Sequence, residues 1–300
     1  MTEQNTRLGI TLMIATTFVF AVQDGISRHM ASIYPVTEVV MIRYWFFALF
    51  VMAVIARQPG GLRKVLRPRY PLVQAFRGVL LVTEVCVMIL GFVHLGLVEA
   101  HAVFTCYPLL ITALSGPVLG ESVGWRRWVA IGVGFIGVLI ILEPGVSMFS
   151  PWALAPLSAA LMFALYGLLT RFVARHDGSQ ISFFWTGTTG ALAMTVVGVW
   201  NMEPFHGWDW GWMGILCCTA ALGHYLLIRT YEVAEASAVQ PFAYFQLMFA
   251  SVIGIWVFGD VLKANVALGV AIVISAGLFT LWRAQVRARQ ERRARALSQE

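Results

Sequence analysis

The chain has 300 residues, of which 59% are hydrophobic and 12% charged, with a net charge of +6 and a mean hydropathy of +0.77. Soluble domains carry roughly half apolar and a quarter charged residues, so a water-exposed globule is excluded: most of this apolar surface would be left wet. Apolar runs of about 20 residues, enough to cross a hydrocarbon core about 30 Å thick, recur along the whole length. The fold class this implies is all-α, a polytopic membrane protein.

Ten spans are expected in chain order, at 8–29, 36–56, 70–92, 98–119, 127–143, 152–171, 181–200, 210–229, 235–258 and 264–283. The first follows a short segment holding Arg7, as in a signal peptide. No small-x-small cleavage site comes after it, so a retained helix is expected. With the N-terminus inside, 17 of the 21 Lys and Arg residues fall in inner segments, which places both termini in the cytoplasm. The positive charge therefore reports cytoplasmic loops rather than a nucleic-acid partner.

Trp200, Trp208, Trp210 and Trp212 flank an outer loop and read as interfacial anchors. Arg77, near the inner end of span 3, can snorkel to the interface. Residues 284–300 form a basic tail suited to the anionic cytoplasmic lipid surface. The four cysteines lie in apolar runs, which leaves no disulfide framework or metal pair and makes them packing residues.

Two stretches repeat. Glu99 to Glu121 returns 136 positions later from Glu235, with Ala100, Ala102, Val103 and Ser115 matching Ala236, Ala238, Val239 and Ser251; each copy closes in glycine plus a carboxylate. FAVQDGISR from Phe20 likewise lies 143 positions before FALYGLLTR from Phe163. Each half then has five spans, 7–145 and 150–283, and an odd number forces the second half to start from the opposite side of the membrane. Two inverted five-helix repeats are expected, with a site near the midplane lined by interrupted helices. Pro108, Pro117 and Pro241 supply candidate interruptions.

These features resemble the EamA family of the drug/metabolite transporter superfamily. The matching residues are Leu119-Gly120-Glu121 followed by Gly132 and Gly137-Val138, Phe258-Gly259-Asp260 followed by Gly269 and Gly277, and Arg43 in span 2. Asp260 stands where glutamate is usual, and Phe20 where many members have tryptophan. The resemblance implies a secondary carrier of small organic metabolites, commonly an exporter, with a cavity lined by helices 1, 3, 4, 6, 8 and 9.

An ionisable side chain at membrane depth costs about 2.5 to 3.5 kcal/mol or more and so needs a reason. Glu84 lies slightly past the midplane of span 3. Met88, one turn on, is the repeat equivalent of His224, so Glu84 and His224 share a face of equivalent helices and are expected to look between the halves. Glu84 suits either a substrate ammonium or coupling proton, or a hydrogen-bonded core carboxyl; His224 is open to the same two readings. His101 and Phe104 share a face of span 4 with Pro108, and Gln240 and Tyr244 answer in span 9. Phe20 and Gln23 in span 1 answer to Phe163 and Tyr166 in span 6. Such a lining suits a neutral or zwitterionic solute with an apolar or planar portion. Asp24 and Arg43 sit at similar depth, with Glu38 nearer the surface, and are expected to form a structural ion pair or network.

Gly132 to Gly137 spells G-x-G-x-x-G without the strand and acidic residue of a dinucleotide fingerprint, and reads instead as close helix packing. No P-loop, zinc spacing or nucleophile elbow is found, so neither a cofactor nor a metal is expected. The reading is an alternating-access carrier in the bacterial inner membrane, leading with export or facilitated diffusion of neutral or aromatic amino acids. The alternatives are import of a vitamin or nucleoside-like cofactor such as a flavin or S-adenosylmethionine and, in another class, a membrane-embedded enzyme. Its partners are a small-molecule substrate and membrane lipids, with proton coupling and a homodimer as further expectations.

Overall fold

The computed structural model describes residues 6–58, 61–120, 123–142, 151–234 and 239–297. Their regular structure is helical: α1 (Thr6–Ala31), α2 (Val36–Ala56), short α3 (Gly61–Val65), α4 (Pro71–Phe104), α5 (Tyr107–Leu119), α6 (Trp125–Leu142), α7 (Pro151–Val173), α8 (Ser179–Gly198), α9 (Asp209–Val233), α10 (Phe245–Phe258) and α11 (Ala264–Leu297), with 3₁₀ turns at Val199–Asn201 and Gln240–Tyr244. Among the described residues, nine helices are long and apolar enough to cross a membrane, and Tyr107–Leu119 is a shorter apolar helix. Large apolar side chains such as Leu72 (85% exposed) and Trp256 (86% exposed) point outward. That surface suits hydrocarbon rather than water.

Spans 3 and 4 meet inside α4. Its helix is broken at Gly96, where φ is 85° and ψ 168°, a conformation only glycine adopts cheaply. The return span then breaks again at Thr105 and Cys106 before Pro108, which opens α5. Pro241 sits in the 3₁₀ turn ahead of α10. Both interruptions are thus at proline, where the missing N–H makes a full α-turn unfavourable. Pro117, by contrast, lies inside α5 without ending it.

The helices pack in exchangeable pairs. The first segment of α4 packs along α7 as α1 does along α9; α2 meets α8, and α6 meets α11; α1 against α10 is answered by α7 against α5. Exchanging 7–145 with 150–283 maps these particular pairs onto one another. The α6–α11 crossing is close because Gly137 and Gly269 meet there. A Cβ added to Gly137 would lie 2.8 Å from the Gly269 carbonyl oxygen, and one on Gly269 2.5 Å from that of Gly137. Gly137 therefore serves backbone approach, the use expected of these glycines.

Trp200, Trp208, Trp210 and Trp212 are all exposed at one end of the bundle. Of the cysteines, all free, Cys106 and Cys217 are buried, Cys86 is partly buried and Cys218 is exposed.

Candidate functional site

Between the halves lies a cavity of about 150 Å³ bordered by α1, α2, α4, α5, α7, α9 and α10. Nine residues singled out in the sequence border it: Phe20, Gln23 and Asp24 from α1; Arg43 from α2; Glu84, His101 and Phe104 from the two segments of α4; Phe163 from α7; and His224 from α9. Tyr166 lies in a smaller adjoining space with Arg43 and His224, and Tyr244 borders another beside His101. Gln240 falls in the 3₁₀ turn, and its side chain lies outside the described residues.

Aromatic faces dominate the wall. Phe104 and Tyr107 both approach Phe163, at centroid distances of 5.5 and 5.0 Å. Phe20 meets His224 edge-on at 5.6 Å, and His101 stacks on Phe92 at 4.8 Å. Gln23 is 4% exposed, and its Oε1 has no hydrogen-bond partner among the described residues. A buried amide oxygen in that state costs about 1–3 kcal/mol.

Asp24 is held differently from expectation. Its Oδ2 lies 3.1 Å from His101 Nε2 and accepts from Gln246 Nε2 at 3.0 Å; the expected Asp24–Arg43 ion pair does not form among the described residues. Equal depth did not bring the two side chains together, because α1 packs chiefly on α9 and α10 while α2 packs on α8. Glu38 joins neither of them. It is 1% exposed and accepts the backbone N–H of Glu203 at 3.0 Å, tying the start of α2 to the loop before α9.

Polar networks tie the helices together at both ends of the bundle. At the end remote from the N-terminus, Arg28 Nη1 donates to both carboxylate oxygens of Asp260 at 2.8 and 2.9 Å while its guanidinium lies over Phe258. Asp260 Oδ2 also accepts the Leu97 N–H at 2.7 Å, capping the helical segment after Gly96. A Cβ on Gly96 would lie 2.7 Å from Asp260 Oδ1, so this glycine is required twice over, for its φ and for room. Lys263 and Glu99 pair beside it at 2.9 Å.

At the other end, Arg77 is 1% exposed and does not snorkel. Its Nε and Nη2 donate to Thr170 Oγ1 at 3.0 and 2.8 Å, and its Nη1 donates to Gln74 Oε1. Gln74 Nε2 passes the chain on to Asp177 Oδ2 at 2.9 Å. Arg77 is only the seventh residue of α4, but α7 and the turn before α8 cover it, so its charge is met by protein rather than by the interface.

Sequence reasoning missed Gln246, Tyr107, Phe92 and Tyr44, which border the same cavity. Gln246 carried a signal: an amide in a run as apolar as 245–258 is costly unless bonded. The three aromatic residues carried none beyond composition.

Among the described residues, nine spanning-length helices and one shorter apolar helix pack around a cavity with polar groups in its wall, an arrangement that membrane carriers share. Comparison with known proteins agrees. Residues 7–143 match the EamA-like transporter family, and the whole chain resembles transporters of the drug/metabolite type. It is 22% identical to the S-adenosylmethionine uptake transporter of Rickettsia prowazekii, over 91% of this chain and 92% of that protein. It is 29% identical to the riboflavin transporter of Vibrio cholerae, over 95% and 96%. Identity to the pseudopaline exporter CntI of Pseudomonas aeruginosa is 24%, over 89% and 94%. One solved crystal structure, 17% identical, superposes with a TM-score of 0.60 over 93% of this chain and 97% of its own, and so shares the fold. The chain is thus a multi-pass bacterial membrane protein whose first half matches the EamA-like transporter family and whose full length is similar to bacterial transporters.

Proposed function

We propose that this carrier imports a planar, heteroaromatic, cofactor-type metabolite, of the flavin or adenosylmethionine kind, across the inner membrane by alternating access. The repeats at 7–145 and 150–283 act as its two moving halves, and both termini face the cytoplasm. The observation carrying this reading is the cavity itself, where aromatic faces stand beside the polar residues Gln23, Asp24, Glu84 and Gln246. A ring N–H or exocyclic amine would bond to such acceptors while the ring system stacks on the walls. The relatives named for S-adenosylmethionine uptake and for riboflavin support the same class. None of the relatives above is named for an amino acid, so export of neutral or aromatic amino acids gives way to this reading. About 150 Å³ is below the roughly 300–1,000 Å³ of ligand pockets, so the helices must part to admit such a solute. Phe20, Phe104, Phe163, Glu84, His101 and His224 are the binding residues, with Tyr166 and Tyr244 in adjoining spaces; Gln240 is proposed with them from its place in the repeat alone.

Counterflow in proteoliposomes tests this. Saturable exchange of labelled riboflavin or S-adenosylmethionine is expected; exchange of tryptophan or phenylalanine with neither cofactor moving would overturn it. Gln23→Leu should raise the KM of the transported solute about tenfold, the equivalent of one hydrogen bond of about 1.4 kcal/mol. The pseudopaline exporter relative favours the opposite direction as a second reading, and inward-driven against outward-driven uptake in oriented vesicles separates the two.

A further inference from the structure

A backbone carbonyl can only accept a hydrogen bond. His101 Nδ1 lies 3.0 Å from the Leu97 carbonyl oxygen, so the proton of a neutral imidazole sits on Nδ1 and leaves Nε2 bare. Yet Nε2 faces Asp24 Oδ2 at 3.1 Å. Two lone pairs at that distance repel, and neither group is more than about a seventh exposed: the side chains are 4% and 14% exposed for His101 and Asp24. One further proton, on the imidazole or on the carboxyl, turns the repulsion into a charge-assisted hydrogen bond. The closed arrangement therefore contains a bound proton.

The same turn carries the closure beyond it. Leu97 donates its N–H to Asp260 and accepts His101 Nδ1–H through its carbonyl. Asp260 holds Arg28, and Arg28 lies one helical turn from Asp24 on α1. Gln246 from α10 donates to Asp24 from the other half. Hydrogen bonds on either side of the Leu97 backbone thus link the cavity to the Arg28–Asp260 pair, joining α1, the segment after Gly96 and α10.

We propose that Asp24 and His101 form a proton-binding site that locks the Arg28–Asp260 end of the passage, so that losing the proton releases that end. The proton comes from and returns to water in the cavity, with no other bond made or broken. The charged and titratable groups facing this site are Arg43 and Tyr44 from α2, Glu84 from α4, Tyr107 from α5 and His224 from α9. Glu84, the proton site expected from sequence, becomes a neighbour that tunes the pair.

The inference rests on the alternating-access reading but is tested without any solute. In nanodiscs, ¹⁵N-histidine spectra of the full chain recorded over a pH series, assigned with His101→Gln, should show His101 passing from a doubly to a singly protonated ring. Asp24→Asn should displace that change. A His101 signal that keeps one charge state throughout, or that ignores Asp24→Asn, overturns the site. Spin labels at the exposed positions Ile33 and Val261, in a cysteine-free background, read the lock. Their separation should lengthen as the proton leaves and stay long at every pH in His101→Gln. A separation that does not follow pH in the unsubstituted protein overturns the lock. If no solute moves in liposomes while both signals behave as stated, it is the transport reading that fails.

Discussion

The two ends of this bundle are tied together by different chemistry. At the Arg28–Asp260 end a bidentate ion pair does the work, with side chains 16% and 11% exposed, backed by a Glu99–Lys263 pair 27% and 52% exposed. At the Arg77 end the groups are sealed: Arg77 is 1%, Gln74 0% and Asp177 4% exposed, and each bonds to protein partners. Separating an ion pair near water trades protein contacts for hydration at small cost, whereas prising apart a buried network strands a charge and an amide with nothing to bond. The comparison makes the Arg28–Asp260 end the one that gives way first, and the Arg77 end the more rigid floor.

The largest effect expected is at the sealed end. Arg77→Met leaves Gln74 and Asp177 buried without their cation and should cost about 3–5 kcal/mol, read as a lowered unfolding midpoint in detergent. A loss no greater than that at the other end would erase the distinction. Gly96→Ala forces a left-handed φ on alanine and pushes a methyl group into Asp260, for about 1–3 kcal/mol; labels at the Arg28–Asp260 end should separate as the midpoint falls. Asp260→Asn keeps an acceptor for Leu97 N–H but loses the ion pair, at about 1–2 kcal/mol, and should open that end while leaving the Arg77 end protected in hydrogen exchange. The smallest change is Glu99→Gln, within about 1 kcal/mol, since its lysine partner is half exposed and screened. A larger loss there would mean the surface pair is part of the closure.

Much of the cavity wall was legible from the internal repeat in the sequence. Laying Met88 on His224 put Glu84 and His224 on one inward face without any knowledge of packing, and both border the cavity. The faces holding Phe20, Gln23, Phe104 and Phe163 followed from helical spacing alone. Asp24 failed for the opposite reason. Its depth was readable, but its partner lay across an interface between α1 and a segment that begins only after the break at Gly96. Arg77 failed likewise: distance from a helix end predicts snorkelling only when lipid, rather than α7, lies beside the residue.

By itself the sequence determined the number of apolar runs, the duplication, the proline and glycine breaks, and which faces turn inward. All of these depend on length, periodicity and local backbone preference, which are properties of neighbouring residues. Only the tertiary structure decided that Asp24 meets His101 and Gln246, that Asp260 reaches Arg28 and the Leu97 N–H, and that Arg77 is sealed from the lipid. Those outcomes turn on how far each helix is rotated against partners more than 70 residues away, and no local rule fixes a rotation.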